Sequence, residues 1–231
     1  MIEEPPLLLV KTNRNRPTKK QLDALKNVPT GFLTDAMNGR GGLEPDIHSL
    51  SPGILPSKMC GVALTCLCGP ADLLAVLGAL TEVEQGDILV AATGKWRQSA
   101  VVGDRVLGML KNAGATGFLT DGLVRDIEGI NPVGLPVFCS GLSPNSPYSK
   151  GPGEIGTTVQ LGGVSISSGD VVVSDDSGVV IVPYLQLDSV IAAIERIGEL
   201  ESDLDKQVAD GLVVPEDIRA FMNSDQVRRI S

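Results

Sequence analysis

The sequence has few aromatic residues and a single histidine. Aromatics make up 3% of the 231 residues, and His48 is the only histidine. A zinc site built from histidines is therefore excluded, because one imidazole cannot supply the usual nitrogen ligands. His48 lies in a predicted loop between Asp46 and Leu50, and we interpret it as structural.

Cysteine is also scarce. None of the four cysteines forms a Cys-x-x-Cys pair, and they are most simply core residues: Cys60, Cys66, Cys68 and Cys139. A thiol catalyst would need a partner histidine, which this chain scarcely offers.

Long hydrophobic runs are missing as well. The apolar run at residues 7–10 follows two acidic residues and two prolines, so the N-terminus lacks the basic start and the length of a signal peptide. No stretch approaches the length of a membrane span. We therefore expect a cytoplasmic protein with no membrane partner.

Positive charge is in deficit. The formal net charge is −9, which argues against a nucleic-acid partner because phosphate binding needs clustered lysine and arginine. The basic run at residues 11–20 is short and lies close to three prolines, so we predict that it forms a solvated arm.

The chain is instead rich in glycine and aliphatic residues, with 27 glycines and no linker-like run that would divide it. Strand and helix patterns alternate from residue 61 to 126 and are followed by strand-rich sequence to residue 183. This order predicts one α/β domain of stacked β elements and flanking helices. We place an N-terminal arm and helix at 1–29, the α/β domain at 30–185 and a C-terminal helical extension at 186–231.

Individual elements follow from periodicity and from start and stop residues. Helices are predicted at 21–26, 30–37, 71–80, 101–114, 187–208 and 216–222. Strands are predicted at 61–68, 87–92, 117–120 and 137–140, with a long loop after 140 and a hairpin at 169–183. Two similar stretches, 61–65 leading to Gly86-Asp87 and 163–167 leading to Gly169-Asp170, predict β elements built on the same Gly-Asp turn.

The stretch at residues 114–126 carries the most chemistry. A short buried strand at 117–120 is broken by Asp121-Gly122, and Arg125 and Asp126 follow. They place a fixed cation beside a hard-metal ligand, just beyond a strand end, where open α/β sheets bind ligands. The alternative is a surface turn closed by an Arg-Asp ion pair.

A predicted helix precedes this stretch, and its N-terminus is marked by Gly103-Asp104. The unpaired N–H groups of its first turn, together with the positive end of the helix dipole, form a cradle suited to a carboxylate. The helix start, Arg125 and Asp126 together suit a small anionic ligand that chelates a metal.

These motifs carry a resemblance to a known family. Gly-Asp at 103–104, followed by Asp-Gly-x-x-Arg-Asp at 121–126, resembles the regulator-of-ribonuclease-activity-A (RraA-like) family, which includes 4-hydroxy-4-methyl-2-oxoglutarate aldolases. The similarity covers about residues 30–210 and includes Thr34-Asp35-Ala36. It implies a swivelling β/β/α architecture and a homotrimer or homohexamer.

The resemblance also implies roles for single residues. Asp126 would bind the metal, and Arg125 would bind a substrate oxygen and stabilise the developing enolate. Asp104 would orient a metal-bound water that carries a proton, and Glu201 would reach a neighbouring subunit's site. The substrate carboxylate would be held by the first turn of the helix, which comprises Gly103, Asp104, Arg105 and Val106.

Cleavage of a 4-hydroxy-2-oxo acid needs an electron sink for the enolate and a base for the C4 hydroxyl. A Schiff-base lysine is disfavoured, because the lysines lie mainly in polar or loop contexts and only Lys95 is near a strand end. The remaining electron sink for the enolate is a hard cation, Mg²⁺ or Mn²⁺, since such an ion needs few protein carboxylates. We predict a class II pyruvate aldolase that also decarboxylates oxaloacetate.

Alternatives stay open at this point. Arg105 stands where the aldolases commonly carry an apolar residue, so the substrate could hold an additional anionic group, and another oxo-acid or sugar-acid lyase would use the same chemistry. A different class is a non-catalytic regulator that binds a ribonuclease or its partners. The helical extension predicted after about residue 200 favours the enzyme, because the shorter regulators would not need it. The apolar stripe of the long C-terminal helix predicts burial against another subunit.

Overall fold

The structure is a computed structural model that describes residues 6–230. Its helices are α1 (Lys19–Leu25), α2 (Thr30–Ala36), α3 (Leu74–Ala79), α4 (Asp104–Asn112), α5 (Ile127–Val133), the short 3₁₀ helix η1 (Tyr184–Gln186), α6 (Leu187–Ala209) and α7 (Glu216–Met222). Its strands are β1 (Leu8–Val10), β2 (His48–Ser49), β3 (Met59–Cys68), β4 (Asp87–Ala92), β5 (Ala100–Val102), β6 (Gly117–Thr120), β7 (Leu123–Val124), β8 (Val137–Cys139), β9 (Gly153–Ile155), β10 (Val159–Leu161), β11 (Val164–Ile166), β12 (Val171–Asp175) and β13 (Gly178–Val182).

A central mixed sheet organises the described chain. Seven of its strands follow the order β1-β9-β3-β4-β6-β8-β2, and the hairpin β12-β13 joins it through β3. Strand β3 pairs in parallel with β4, and antiparallel with β12 at its start and β9 at its end. With helices on its flanks, this sheet confirms the predicted α/β fold class.

Both faces of the sheet are buried, which explains the nearly continuous apolar strands. In β4, Leu89 faces a core shared with α3, α4 and α5, while Ile88 and Val90 face a core shared with β10, β11 and the hairpin. A third core lies between the hairpin and helices α1, α2 and α6. The alternation follows from the two-residue period of a strand.

The repeated Gly-Asp turn is confirmed. Gly86 and Gly169 adopt φ values of +89° and +104°, a region that favours glycine. The following carboxylates accept the N–H three residues earlier, from Glu84 to Asp87 at 2.7 Å and from Ser167 to Asp170 at 2.8 Å.

The predicted solvated arm at residues 11–20 is wrong in its central part. Arg14 Nη2 lies 2.6 Å from Asp87 Oδ2, and Arg16 Nη1 lies 2.9 Å from Asp87 Oδ1. The Asp87 side chain is fully buried and that of Arg14 is 6% exposed. Because a buried carboxylate requires charged partners, the basic run is drawn into the fold.

Other differences lie in irregular segments. The predicted loop after residue 140 contains β9 and β10, and residues 101–102 belong to β5 rather than to the helix. Helix α5 was not predicted, because Pro132 and the left-handed Gly134 resemble turn punctuation. His48 lies in the two-residue strand β2, which pairs with β8.

The long helix α6 has two different halves. Leu187, Val190 and Ile194 pack into the third core, whereas Leu200 and Leu204 are 65% and 41% exposed. The apolar stripe is thus covered only in its first half. Within residues 6–230, no helix is both long and apolar enough to cross a membrane. The domain boundaries at residues 29/30 and 185/186 stay predictions.

Candidate active site

The candidate site lies at two strand-to-helix turns that stand side by side. Strand β5 pairs in parallel with β7, with Val102 opposite Val124. Each strand leads into a helix, β5 into α4 and β7 into α5. The Arg125 N–H donates to the Val102 carbonyl at 3.1 Å, which holds the two turns together. Parallel pairing therefore brings residues 103–106 to Arg125 and Asp126.

Arg125 and Asp126 form an open ion pair. Arg125 Nε lies 3.1 Å from Asp126 Oδ2, with side chains 34% and 45% exposed. Arg125 Nη1 also donates to Ser146 Oγ, in the loop after β8. These contacts fix the direction of the guanidinium while both charged groups keep access to solvent.

Asp126 adopts a conformation that is rare for a residue with a side chain. Its φ and ψ are 62° and 46°, and its carbonyl accepts the N–H groups of Gly129 and Ile130 at 2.9 and 3.0 Å. Its carboxylate does not cap α5, so it is directed to other partners. Left-handed backbone in non-glycine residues clusters at functional sites and is held there by the surrounding structure.

Glycine is required at position 103 because the side chains of Asp126 and Arg125 approach its backbone closely. A Cβ atom at this position would lie 2.6 Å from Asp126 Oδ2 and 3.3 Å from Arg125 Cγ. The backbone of Gly103 is extended, with φ −130° and ψ −170°, so glycine is needed for space and not for its conformation. The absent side chain leaves open the space beside the Asp126 carboxylate.

The first turn of α4 carries both a carboxylate and backbone hydrogen-bond donors. Asp104 Oδ1 accepts the Arg105 N–H at 2.7 Å, so one of the predicted cradle donors is already engaged. The N–H groups of Asp104 and Val106 lie in the same turn, where no helical carbonyl can accept them. A Cβ on Gly129 would lie 2.4 Å from Asp104 Oδ2, so α5 comes close to Asp104 at this glycine.

Arg105 is exposed and makes no ion pair within residues 6–230. Its guanidinium is adjacent in sequence to Asp104 and lies on the first turn of α4. An unpaired cation here can meet an anionic group of a ligand held at the helix start.

Asp121 has a structural role. It is buried and accepts Thr93 N, Thr93 Oγ1 and Lys95 N at 2.7, 2.9 and 2.9 Å. Gly122 is packed against Thr93, since a Cβ there would lie 2.9 Å from Thr93 Cγ2. The first half of the Asp-Gly-x-x-Arg-Asp motif therefore anchors the loop after β4, and only the second half belongs to the candidate site.

The donor set suits a hard cation held by few protein ligands. Within residues 6–230, no group of three or more His, Cys, Asp or Glu side chains is arranged to hold a metal. Asp126 offers an exposed carboxylate next to the space left by Gly103, and Asp104 adds a second carboxylate close by. Mg²⁺ and Mn²⁺ accept such sites because water and substrate oxygens complete their coordination.

Other candidate groups are engaged elsewhere. Lys95 Nζ lies 2.5 Å from Glu44 Oε2, and this hydrogen bond raises the pKa of Lys95, which disfavours a neutral amine nucleophile. Burial raises the pKa of the Cys60 and Cys139 thiols to about 11, so they are poor nucleophiles.

Glu201 is not brought to this site within one chain. It is partly buried on the second half of α6, a helix that packs mainly against α1 and α2. Arg125 and Asp126 lie next to α4 and α5 instead. A role for Glu201 at the site would therefore require a second copy of the chain.

Two contributors have no signal in the sequence. Ser146 lies in a proline-rich loop and is 21 residues from Arg125 along the chain. Gly129 is one glycine among 27, and only its position against Asp104 distinguishes it.

Comparisons with known proteins show the family of this chain. The RraA-like family profile, described as Aldolase/RraA, matches residues 30–181. A protein of Halalkalibacterium halodurans named putative 4-hydroxy-4-methyl-2-oxoglutarate aldolase is 31% identical over 197 residues, covering 85% of this chain and 91% of the relative.

Solved structures show the same fold. Streptomyces coelicolor RraAS2, described as an unusual member of the RNase ES inhibitor RraA protein family, has a TM-score of 0.73 and 25% identity, covering 83% of this chain and 100% of that chain. An uncharacterized protein from Pseudomonas syringae pv. tomato has a TM-score of 0.74 and 24% identity, covering 87% of this chain and 97% of that chain.

Proposed function

Because this chain belongs to the RraA-like (Aldolase/RraA) family, we propose that it is a divalent-metal-dependent lyase. Its substrate is 4-hydroxy-4-methyl-2-oxoglutarate or a related 4-hydroxy-2-oxo acid, which it cleaves to pyruvate, and it decarboxylates oxaloacetate as a second activity. The observation that carries the proposal is the close approach of Gly103 to Asp126 beside Arg125, at the ends of paired parallel strands.

Asp126 is the residue that would hold the cation. Its carboxylate is exposed, lies next to the space left by Gly103 and is not used to cap α5. When bound, Mg²⁺ or Mn²⁺ supplies Lewis-acid polarisation of the substrate's keto group.

Arg125 would bind the substrate's keto side and stabilise the negative charge that develops there during bond cleavage. Its planar fork can donate to two oxygens at once, which a lysine cannot do. The contact with Ser146 and the hydrogen bond from its backbone to Val102 hold it in place before the substrate arrives. Such preorganised donors act most strongly in the transition state.

The first turn of α4 would hold the substrate's carboxylate. The free N–H groups there and the helix dipole favour an anion. Asp104 would orient a metal-bound water that carries a proton to or from the substrate, and Arg105 would meet a second anionic group at the far end. This assignment makes a dicarboxylic oxo acid the preferred substrate.

Glu201 would complete the site from a neighbouring copy in a homotrimer or homohexamer. The exposed apolar residues on the second half of α6, Leu200 and Leu204, support burial against such a copy. A monomeric mass in solution at micromolar concentration would contradict this assignment.

A second candidate function is a non-catalytic regulator that binds a ribonuclease. The similarity to S. coelicolor RraAS2 across 83% of this chain favours it. The two candidates differ in one respect: only the enzyme needs the Arg125 and Asp126 side chains for turnover of an oxo acid.

A pyruvate-release assay across 4-hydroxy-2-oxo acids and oxaloacetate tests the proposal. We expect release that EDTA abolishes and that Mg²⁺ or Mn²⁺ restores, because one carboxylate with water ligands binds a divalent ion loosely. Absence of pyruvate release from every substrate at saturating Mg²⁺ would favour the regulator, and a co-purification assay with a ribonuclease would then be the next test.

A further inference from the structure

The two strand-to-helix turns of the candidate site pack against each other through two reciprocal contacts between a carboxylate and a glycine. The turn from β5 to α4 contributes Gly103 and Asp104, and the turn from β7 to α5 contributes Asp126 and Gly129. A Cβ on Gly103 would lie 2.6 Å from Asp126 Oδ2. A Cβ on Gly129 would lie 2.4 Å from Asp104 Oδ2. Each turn thus leaves the space that the carboxylate of the other turn occupies.

The contact at Gly129 involves the whole side chain of Asp104. Besides Oδ2, the Cβ and Cγ atoms of Asp104 would each lie 2.8 Å from a Cβ added at Gly129, which is closer than real Cβ atoms come to other atoms. Rotation of the carboxylate cannot make room for a methyl group, because the position of Asp104 Cβ is fixed by the backbone of α4. Only glycine at position 129 therefore lets Asp104 keep its place.

The backbone of Gly129 is fixed by Asp126. The Gly129 N–H donates to the Asp126 carbonyl at 2.9 Å, next to the left-handed residue that starts α5. Glycine is a poorer helix former than alanine, so helix formation does not account for a glycine as the third residue of α5. The close approach of Asp104 does account for it.

This packing gives Asp104 one engaged oxygen and one available oxygen. Asp104 Oδ1 accepts the Arg105 N–H at 2.7 Å, whereas Oδ2 makes no hydrogen bond within residues 6–230. Because Oδ1 is held by α4 and the rest of the side chain lies against Gly129, Oδ2 has a defined direction. A carboxylate oxygen held in this way can accept a hydrogen bond from a water that moves a proton.

We propose that Gly129 is a positioning residue, which holds Asp104 for proton transfer; this inference rests on the proposed lyase activity. In cleavage of a 4-hydroxy-2-oxo acid, the water oriented by Asp104 carries the proton away from the C4 hydroxyl. The C3–C4 bond then breaks, C4 becomes a carbonyl carbon, and the electron pair of the bond forms the enolate of pyruvate. A proton returned to C3 gives pyruvate. Decarboxylation of oxaloacetate forms the same enolate as CO₂ leaves, but it has no C4 hydroxyl to deprotonate.

The variant Gly129→Ala tests this role. It should displace Asp104 by about 1 Å, so we expect kcat for cleavage of 4-hydroxy-4-methyl-2-oxoglutarate to fall about 100-fold with KM nearly unchanged. Decarboxylation of oxaloacetate should fall by less than about tenfold, because only cleavage needs the first proton transfer. The affinity for Mg²⁺, measured by calorimetry, should equal that of wild type, since Asp126 packs against Gly103. The matched control Gly108→Ala, with no atom within 4 Å of the added Cβ, should keep both activities.

A double-mutant cycle separates positioning from a general structural effect. Asp104→Ala removes the carboxylate, so the addition of Gly129→Ala to it should leave the residual kcat unchanged. A further fall of about 100-fold in the double variant would overturn the positioning role. So would equal losses of the two activities, a lowered Mg²⁺ affinity or a wild-type kcat in Gly129→Ala, although each of these results leaves the lyase activity standing. Absence of pyruvate release by wild type at saturating Mg²⁺ would reject the lyase activity, and the positioning role with it.

Discussion

The substitution Gly103→Ala tests whether the space beside Asp126 is functional. An added Cβ would lie 2.6 Å from Asp126 Oδ2, whereas ordinary contact begins at 3.4 Å, so the carboxylate must move by about 0.8 Å. Because the Gly103 backbone is extended, alanine adopts it without strain. The substitution therefore displaces a side chain and leaves the fold intact.

The expected effect is large on activity and small on stability. A misplacement of about 1 Å at a reacting centre can lower the rate about 100-fold, so we expect a fall of about 100-fold in kcat/KM for pyruvate release. The affinity for Mg²⁺, measured by calorimetry, should fall with it. Because the displaced atom is the end of a flexible side chain, the free energy of unfolding should change by less than about 1 kcal/mol.

Gly108→Ala provides the matched control in the same helix. No atom lies within 4 Å of a Cβ at Gly108, so the change should stabilise α4 by about 0.5–1 kcal/mol and leave kcat/KM unchanged. Equal kcat/KM and equal Mg²⁺ affinity in the two variants would refute the assignment of Asp126 as the metal ligand.

Three further predictions concern the ion pairs and the pH dependence. Asp87→Asn should lower the free energy of unfolding in urea by about 3–5 kcal/mol, because it leaves the Arg14 charge buried without its partner. The control Glu84→Gln, at a side chain that is 57% exposed, should lower it by less than about 1 kcal/mol. Equal losses in the two variants would contradict the importance of the buried pair. Burial acts to raise the pKa of Asp175, but hydrogen bonds from its neighbours outweigh burial and lower this pKa below 3.8. The ionised carboxylate therefore stabilises the fold above pH 3.8, and this stabilisation is lost as the pH falls through the pKa that Asp175 has in the folded protein. Asp175→Asn should therefore show a flatter fall of stability from about pH 5 to about pH 2 than wild type, and parallel curves would refute this. Arg125→Lys should lower kcat more than it raises KM, since the lost second hydrogen bond acts mainly in the transition state, and a change in KM alone would contradict that role.

The regular part of the fold was predictable because its signals are local. The structure gives β4, β6 and α7 the bounds predicted from apolar runs and their flanking residues. The start of α4 at Gly103-Asp104 was also predictable from the sequence, since a glycine and an acidic residue before an amphipathic stretch mark a helix N-terminus. These features depend on neighbours a few residues apart.

Features that depend on distant residues were not predictable. Arg14 and Asp87 are 73 residues apart, and neither position alone shows that the pair is buried. Short edge strands such as β1 and β9 depend on each other for pairing and have weak periodicity of their own. The tertiary fold overrides local composition in both cases.

The candidate site also has a part that local sequence predicts and a part that depends on the fold. Arg125 and Asp126 were found because their residue types, next to a strand end, indicate metal and anion chemistry. The left-handed backbone of Asp126 and its approach to Gly103 depend on the β5-β7 pairing, which no local pattern indicates. Sequence thus identified the candidate residues, and the fold supplied their arrangement.

The most direct test of the lyase assignment is pyruvate release from 4-hydroxy-4-methyl-2-oxoglutarate by Mg²⁺-saturated wild type and Asp126→Ala, with Asp23→Ala as an exposed-carboxylate control on α1. We predict that wild type and Asp23→Ala release pyruvate at equal rates and that Asp126→Ala loses almost all release while remaining folded. An unchanged rate in Asp126→Ala would contradict the assignment.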